Sequence, residues 1–170
     1  MRRVVYDADE IARRVAELGR EVTGAYPAGD LLVLGLLKGS FIFTADLVRA
    51  IGRPVCVDFM VASSYGAATT SSGNVRLLYD PATDMAGKHV LVVEDIIDTG
   101  RTLQRLLSLL ALRQPASLAV CTLLDKKMAP PIPEVRFTGF ACPNAFLVGY
   151  GLDHAERYRH LPFIAELAQE

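Results

Sequence analysis

Glu94 and Asp95 are adjacent carboxylates, and shortly after them come Asp98, Thr99, Gly100, Arg101 and Thr102, a turn-forming cluster. Gly100 lets the backbone approach a ligand closely. If a helix starts here, the amides of Thr99 to Thr102 present unsatisfied N–H groups, and the helix dipole adds partial positive charge. Such a turn cradles phosphate. The two acids cannot ligate phosphate. They suit hydrogen bonds from a sugar's hydroxyls, or they can hold Mg²⁺. A phosphate cradle, a diol acceptor and a metal site together describe a ribose phosphate carrying a pyrophosphate. The same residues have a plainer reading: Asp98 or Thr99 caps a helix and the acids are solvated. Local chemistry alone leaves both open. Two better-known phosphate motifs are excluded, because the chain has neither GxxxxGK[ST] nor a GxGxxG opening a helix.

The flanking sequence supplies the elements that position these groups. Residues 90–93 (VLVV) are apolar and mostly β-branched, which suits a strand buried on both faces of a parallel sheet. Leu103, Leu106, Leu107 and Leu110 recur at helical spacing. The order is therefore strand, acidic pair, polar loop, helix. In open α/β sheets ligands bind beyond the strand carboxyl ends. Residues 31–37 repeat the plan: an apolar strand, then Lys38-Gly39-Ser40, then a helix over 41–51. A lysine at a helix start opposes the dipole unless an anion also sits there.

The run VLVVEDIIDTGRTL resembles the 5-phosphoribosyl diphosphate (PRPP) signature of the type I phosphoribosyltransferases. Its Glu-Asp-Ile-Ile-Asp-Thr-Gly form is that of the hypoxanthine-guanine branch, and the likeness extends over about residues 30–163. The resemblance implies an α/β fold with a mostly parallel twisted sheet flanked by helices and a small hood over the strand carboxyl ends. It implies one domain over residues 1–170, with a core at about 30–125, a hood at about 126–170 joined by the N-terminal segment, and a lid at about 63–74. The activity implied is Mg²⁺-dependent transfer of phosphoribose from PRPP to hypoxanthine or guanine, giving IMP or GMP and pyrophosphate.

Residue by residue, Glu94 and Asp95 hold the ribose diol, or a metal together with Asp153. Residues Asp98, Thr99, Gly100, Arg101 and Thr102 bind the 5′-phosphate. Lys38, Gly39 and Arg159 meet the pyrophosphate, and the Leu37-Lys38 peptide is expected to be cis. Asp98 is the candidate general base at purine N7, or else it only orients the base. Phe146 stacks on the purine, the Leu147 backbone reads its edge, and Asp153 lies near base or metal. Ser64 and Tyr65 belong to the lid, which excludes water from a transition state with oxocarbenium character. Without the resemblance, residues 63–74 read equally as a loose hairpin loop, Phe146 as a core aromatic and Arg159 as a solvated helix residue. One departure stands out. The family's usual lysine ahead of the FxGF stretch, which reads the purine 6-oxo group, is replaced by Glu134, leaving Arg136, Lys126 and Lys127 as substitutes.

Bulk properties agree with this class. The chain has 170 residues, half of them apolar, and a net charge of −1. Without a basic run, nucleic acid is not an expected partner. The three cysteines (Cys56, Cys121, Cys142) lack CxxC spacing, so neither zinc site nor disulfide framework is expected. Cys56 and Cys121 read as core thiols in a reducing cytoplasm. No apolar run reaches the length of a membrane span or a signal peptide. The three histidines have no ligand spacing. A homodimer or homotetramer is expected from the resemblance alone. Two readings compete with catalysis on a 6-oxopurine: the same fold acting on xanthine or another base, and a PRPP-sensing regulator that does no chemistry. A flavodoxin-like phosphoacceptor would leave Lys38 unexplained.

Toward the amino end, Asp7 and Glu10 have capping-box spacing, and Ile11, Val15, Leu18 and Val22 form one helical stripe. Alternation over 55–62 predicts a strand with Val55, Val57, Phe59 and Val61 on one face.

Overall fold

The computed structural model describes residues 2–64 and 75–168. Most of the expected lid, Tyr65 included, lies outside the described residues, and Ser64 is described only as the last backbone position of a strand.

The first helix starts as its sequence dictates. After strand β1 (Arg3–Tyr6), Glu10 N–H donates to Asp7 Oδ1 at 2.8 Å and Asp7 N–H donates to Glu10 Oε2 at 2.9 Å. Helix α1 (Ala8–Ala25) then buries Ile11, Val15, Leu18 and Val22. Strand β2 (Leu31–Leu37) feeds α2 (Phe41–Ala50), and β3 (Cys56–Ser64) is followed by β4 (Val75–Tyr79). Strand β5 (His89–Ile97) leads into α3 (Arg101–Ala111), then β6 (Ser117–Asp125), β7 (Val135–Ala141), β8 (Leu147–Val148) and β9 (Ile164–Glu166).

The large sheet runs β4-β3-β2-β5-β6-β7, parallel except where β4 returns against β3. Because successive side chains alternate faces, each central strand supplies two cores. Leu31, Val33, Leu91, Val93 and Cys121 pack under α1 and α2. Leu32, Leu34, Val90, Val92 and Val120 pack under the Leu103, Leu106, Leu107 and Leu110 face of α3. The chain leaves β2 toward β3 on one side and β5 toward β6 on the other. The sheet order therefore switches direction between β2 and β5, which opens a crevice at their carboxyl ends. A second, antiparallel sheet of order β1-β9-β8 forms the hood. No helix among the described residues is long and apolar enough to cross a membrane.

Two expectations need correction, and the covered face of β3 is a point that its alternation leaves open. The buried residue of β3 is Met60, on the face opposite Val55, Val57, Phe59 and Val61, and Val57 is 43% exposed. Strand β3 lies next to the edge of the sheet. Its α2-side face is only partly covered, whereas Met60 packs among Leu34, Leu36 and Met85. Cys56, in phase with Met60 but at the very start of the strand, is exposed, while Cys121 and Cys142 are buried. Residues 135–141 are an edge strand of the large sheet, not part of the hood.

Candidate active site

The crevice is built from two strand-loop-helix units meeting at the switch point. In the first, β2 ends at Leu37, the Leu37-Lys38 peptide is cis, and buried Ser40 donates its hydroxyl to Leu36 O at 2.7 Å. Gly39 is pressed against the second unit. A Cβ added there would lie 1.6 Å from Asp95 Oδ2, so only glycine lets these two loops meet.

In the second unit, Glu94 and Asp95 follow the buried run 90–93 within β5, which continues to buried Ile97, and they line the crevice. Neither forms an ion pair among the described residues at hydrogen-bonding range. Burial pushes the Glu94 carboxyl well up, and the neighbouring Asp95 charge pushes the same way. Burial also raises Asp95, opposed by the Ile96 N–H that donates to it at 2.7 Å and by the Arg159 charge. Helix α3 then begins at Gly100, whose φ of 70° is left-handed and whose missing Cβ would crowd Ile132 Cδ1 at 2.9 Å. Neither Asp98 nor Thr99 caps this helix, for no side-chain cap is made. The first helical bond is Gln104 N–H to Gly100 O, at 2.9 Å. The amides ahead of it form the uncapped, anion-receptive helix start that the sequence suggests.

Opposite the acids stands the segment after β8. Arg159 donates to Gly151 O at 2.8 Å and pairs with Asp153 at 2.9 Å, while its buried Nε has no partner. Lys38 and Arg159 both reach Glu156, at 3.1 and 3.2 Å. A cavity of about 380 Å³ is lined by Lys38, Gly39, Glu94, Asp95, Thr102, Asp153, Glu156 and Arg159. Two cations thus share it with four carboxylates.

A wider pocket of about 750 Å³ brings together Asp98, Lys126, Asn144 and Phe146. Phe146 is 39% exposed, and its ring meets His154 edge to face at 5.3 Å. Leu147 pairs with Glu166, and the adjoining ladder bond runs from Leu167 N–H to Phe146 O. In an antiparallel ladder this turns the Leu147 N–H and C=O to the free edge of β8. The residues from Thr99 to Arg101 lie between Asp98 in this pocket and Thr102 in the smaller one.

Glu134 lies away from the crevice. The Glu134 carbonyl accepts Val120 N–H at 2.7 Å, alongside the middle of β6 and away from the strand carboxyl ends. Arg136 is exposed and lies over the Phe137 ring, and Lys127 is held by Asp125 at 2.7 Å. Lys126 instead follows β6 directly, reaches Asp98 Oδ2 at 3.1 Å and is only 13% exposed. Its signal in the sequence was its place just past a buried strand. Glu156 was not anticipated. Nothing marks it except its distance of three residues from both Asp153 and Arg159.

Among the described residues no three His, Cys, Asp or Glu side chains converge as a ready-made metal cage. The unpaired Glu94-Asp95 oxygens are hard donors of the kind Mg²⁺ takes together with water and substrate oxygens.

The phosphoribosyl transferase domain family matches residues 3–155. The hypoxanthine phosphoribosyltransferase of Escherichia coli (strain K12) is 50% identical over 161 residues, covering 93% of this chain and 90% of that one. The hypoxanthine-guanine phosphoribosyltransferase of Dictyostelium discoideum is 47% identical over 174 aligned positions, covering 99% and 97%. The crystal structure of a hypoxanthine-guanine phosphoribosyltransferase from Bacillus anthracis matches with a TM-score of 0.93 at 41% identity, covering 99% of each chain. Similarity of this order along nearly the whole length, on one topology, leaves no room for a different ancestry: the chain belongs to the phosphoribosyl transferase family, has the type I fold, and stands among its hypoxanthine-guanine members.

Proposed function

We propose that the protein transfers the 5-phosphoribosyl group of PRPP to hypoxanthine or guanine with Mg²⁺, releasing pyrophosphate. The observation that carries this is the crevice at the switch point. It combines an uncapped helix start, an unpaired acid pair and two cations within reach of one small ligand. The α3 amides bind the 5′-phosphate and Glu94 and Asp95 accept hydrogen bonds from the ribose hydroxyls. Lys38 and Arg159 hold the pyrophosphate.

Purine nitrogen N9 attacks the anomeric carbon as the bond from that carbon to pyrophosphate breaks, and the electron pair leaves with pyrophosphate. Asp98 receives the purine N7 proton. Its Oδ2 is held by Lys126, and its Oδ1 makes no hydrogen bond among the described residues. Lys126, beside it, donates to the 6-oxo group; an ammonium would repel the 6-amino group of adenine, which favours oxopurines. Phe146 offers the stacking face. Glu94, Asp95 or Asp153 would hold Mg²⁺, which would supply charge neutralisation for the leaving pyrophosphate.

A panel of hypoxanthine, guanine, xanthine and adenine with PRPP and Mg²⁺, followed by pyrophosphate release, tests the reading. Turnover confined to the 6-oxopurines is expected, and no release with any base overturns it. Asp98→Asn separates proton transfer from orientation. Undiminished turnover in a folded variant leaves Asp98 an orienting role only.

A further inference from the structure

Resting on that reading of the crevice, we propose that Glu156 is a built-in anionic placeholder for pyrophosphate and sets how tightly pyrophosphate and PRPP are held. Its Oε1 takes Lys38 Nζ at 3.1 Å and its Oε2 takes Arg159 Nη2 at 3.2 Å. One carboxylate therefore spans the two cations that would otherwise face each other across an anion site. Lys38 and Arg159 come from distant parts of the chain, the β2–α2 turn and the segment after β8. No other carboxylate among the described residues touches both.

The backbone holds Glu156 there. Ala155 and Glu156 both have left-handed φ, 49° and 63°, and Glu156 N–H donates to Asp153 Oδ2 at 2.8 Å. The side chain itself is 65% exposed, so it can swing into water when a better anion arrives. A pyrophosphate group carries more charge and more acceptor oxygens than one carboxylate, so it wins the exchange. On product release the carboxylate returns and takes both cations again, Arg159 keeping its pair with Asp153 throughout. Glu156 thereby weakens binding of the leaving group and eases its departure, which suits enzymes whose turnover is limited by product release.

The test is calorimetry of Mg²⁺ pyrophosphate binding to the wild-type protein, Glu156→Gln and Glu156→Asp, with steady-state KM for PRPP measured in parallel. Exposed ion pairs of this kind are modest, so the expected effect is about two- to tenfold tighter pyrophosphate binding and a matching fall in the KM for PRPP in Glu156→Gln. Glu156→Asp keeps the charge and should stay near the wild type. The advantage of Glu156→Gln should shrink as salt rises, because the competition it removes is electrostatic. A merely structural role would show as weaker binding in Glu156→Gln. Equal or weaker binding in Glu156→Gln, with pyrophosphate bound normally by the wild type, overturns the placeholder alone. If the wild type binds no pyrophosphate, the reading of the crevice falls with it.

Discussion

Substituting Gly39 by alanine tests the crevice most directly. The new Cβ would sit 1.6 Å from Asp95 Oδ2 and 2.6 Å from its Cγ. The turn cannot simply recede, because the Gly39 carbonyl is pressed against Gly151, where an added Cβ would lie 2.1 Å from it. Restoring van der Waals contact therefore means moving the Asp95 carboxylate or the Lys38-Gly39 turn by about 1.5 Å. Misplacing a reacting group by even 1 Å costs about 100-fold in rate. We expect kcat/KM for PRPP to fall by at least about 100-fold. Overpacking should cost about 1–3 kcal/mol of stability, toward the lower end because displaced Asp95 regains water. Gly24 in α1 is the control: nothing lies within 4 Å of its added Cβ. Alanine there should leave activity alone and stabilise by up to about 1 kcal/mol. Pyrophosphate release at varied PRPP gives the rates and urea unfolding gives the stabilities. A Gly39→Ala enzyme within about threefold of wild-type kcat/KM would refute the reasoning.

The acid pair makes a pH prediction. Glu94 is raised above its ordinary 4.5 by burial and by Asp95, so the folded state holds its proton to higher pH than the unfolded chain does. The stability this contributes is present in acid and is lost as pH rises through the raised value. Without ligand or metal, Glu94→Gln should melt at least about 2 °C above wild type near pH 8, with the gap closing toward pH 4.5; a gap independent of pH would show that the pair is not repelled when empty. Lys126→Met should cut kcat/KM for hypoxanthine by about 10- to 100-fold, as loss of a charged hydrogen bond does, and narrow the preference over adenine. An unchanged hypoxanthine-to-adenine ratio would remove Lys126 from base reading.

What could be read from the chain beforehand was what local patterning encodes. Strand β2 begins and ends where its apolar run does, and the Asp7-Glu10 box makes both of its hydrogen bonds. The acids of β5 follow the buried run 90–93 as expected, but the strand continues past them to Ile97, because its ladder with β6 persists there. The short apolar run 146–148 reads as a strand and holds β8, but the pairing of the hood escaped such reading because it is made at long range. Arg3 pairs with Glu166, which no local signal announces. The face of β3 was ambiguous because its alternation marks two faces without saying which one a helix covers. The position of Glu134 was hidden for the same reason. A spacing counted along the chain ignored that β7 begins alongside the middle of β6.

The charges of the crevice explain why its parts must act together. Lys38 and Arg159 are satisfied by Glu156 and Asp153, while Glu94 and Asp95 form no ion pair among the described residues. A bare polyphosphate entering this space would meet an excess of carboxylates and would have to displace Glu156 from the cations. On the proposed function, a cation arriving with the substrate would ease the first of these obstacles. It relieves the mutual repulsion of the two acids, and it lowers the charge that the leaving group brings toward them. The desolvated acids would thus weaken binding of the substrate anion alone and strengthen binding of its metal complex. On this account pyrophosphate without Mg²⁺ should bind Glu94→Gln more tightly than it binds wild type, and with Mg²⁺ the order should reverse.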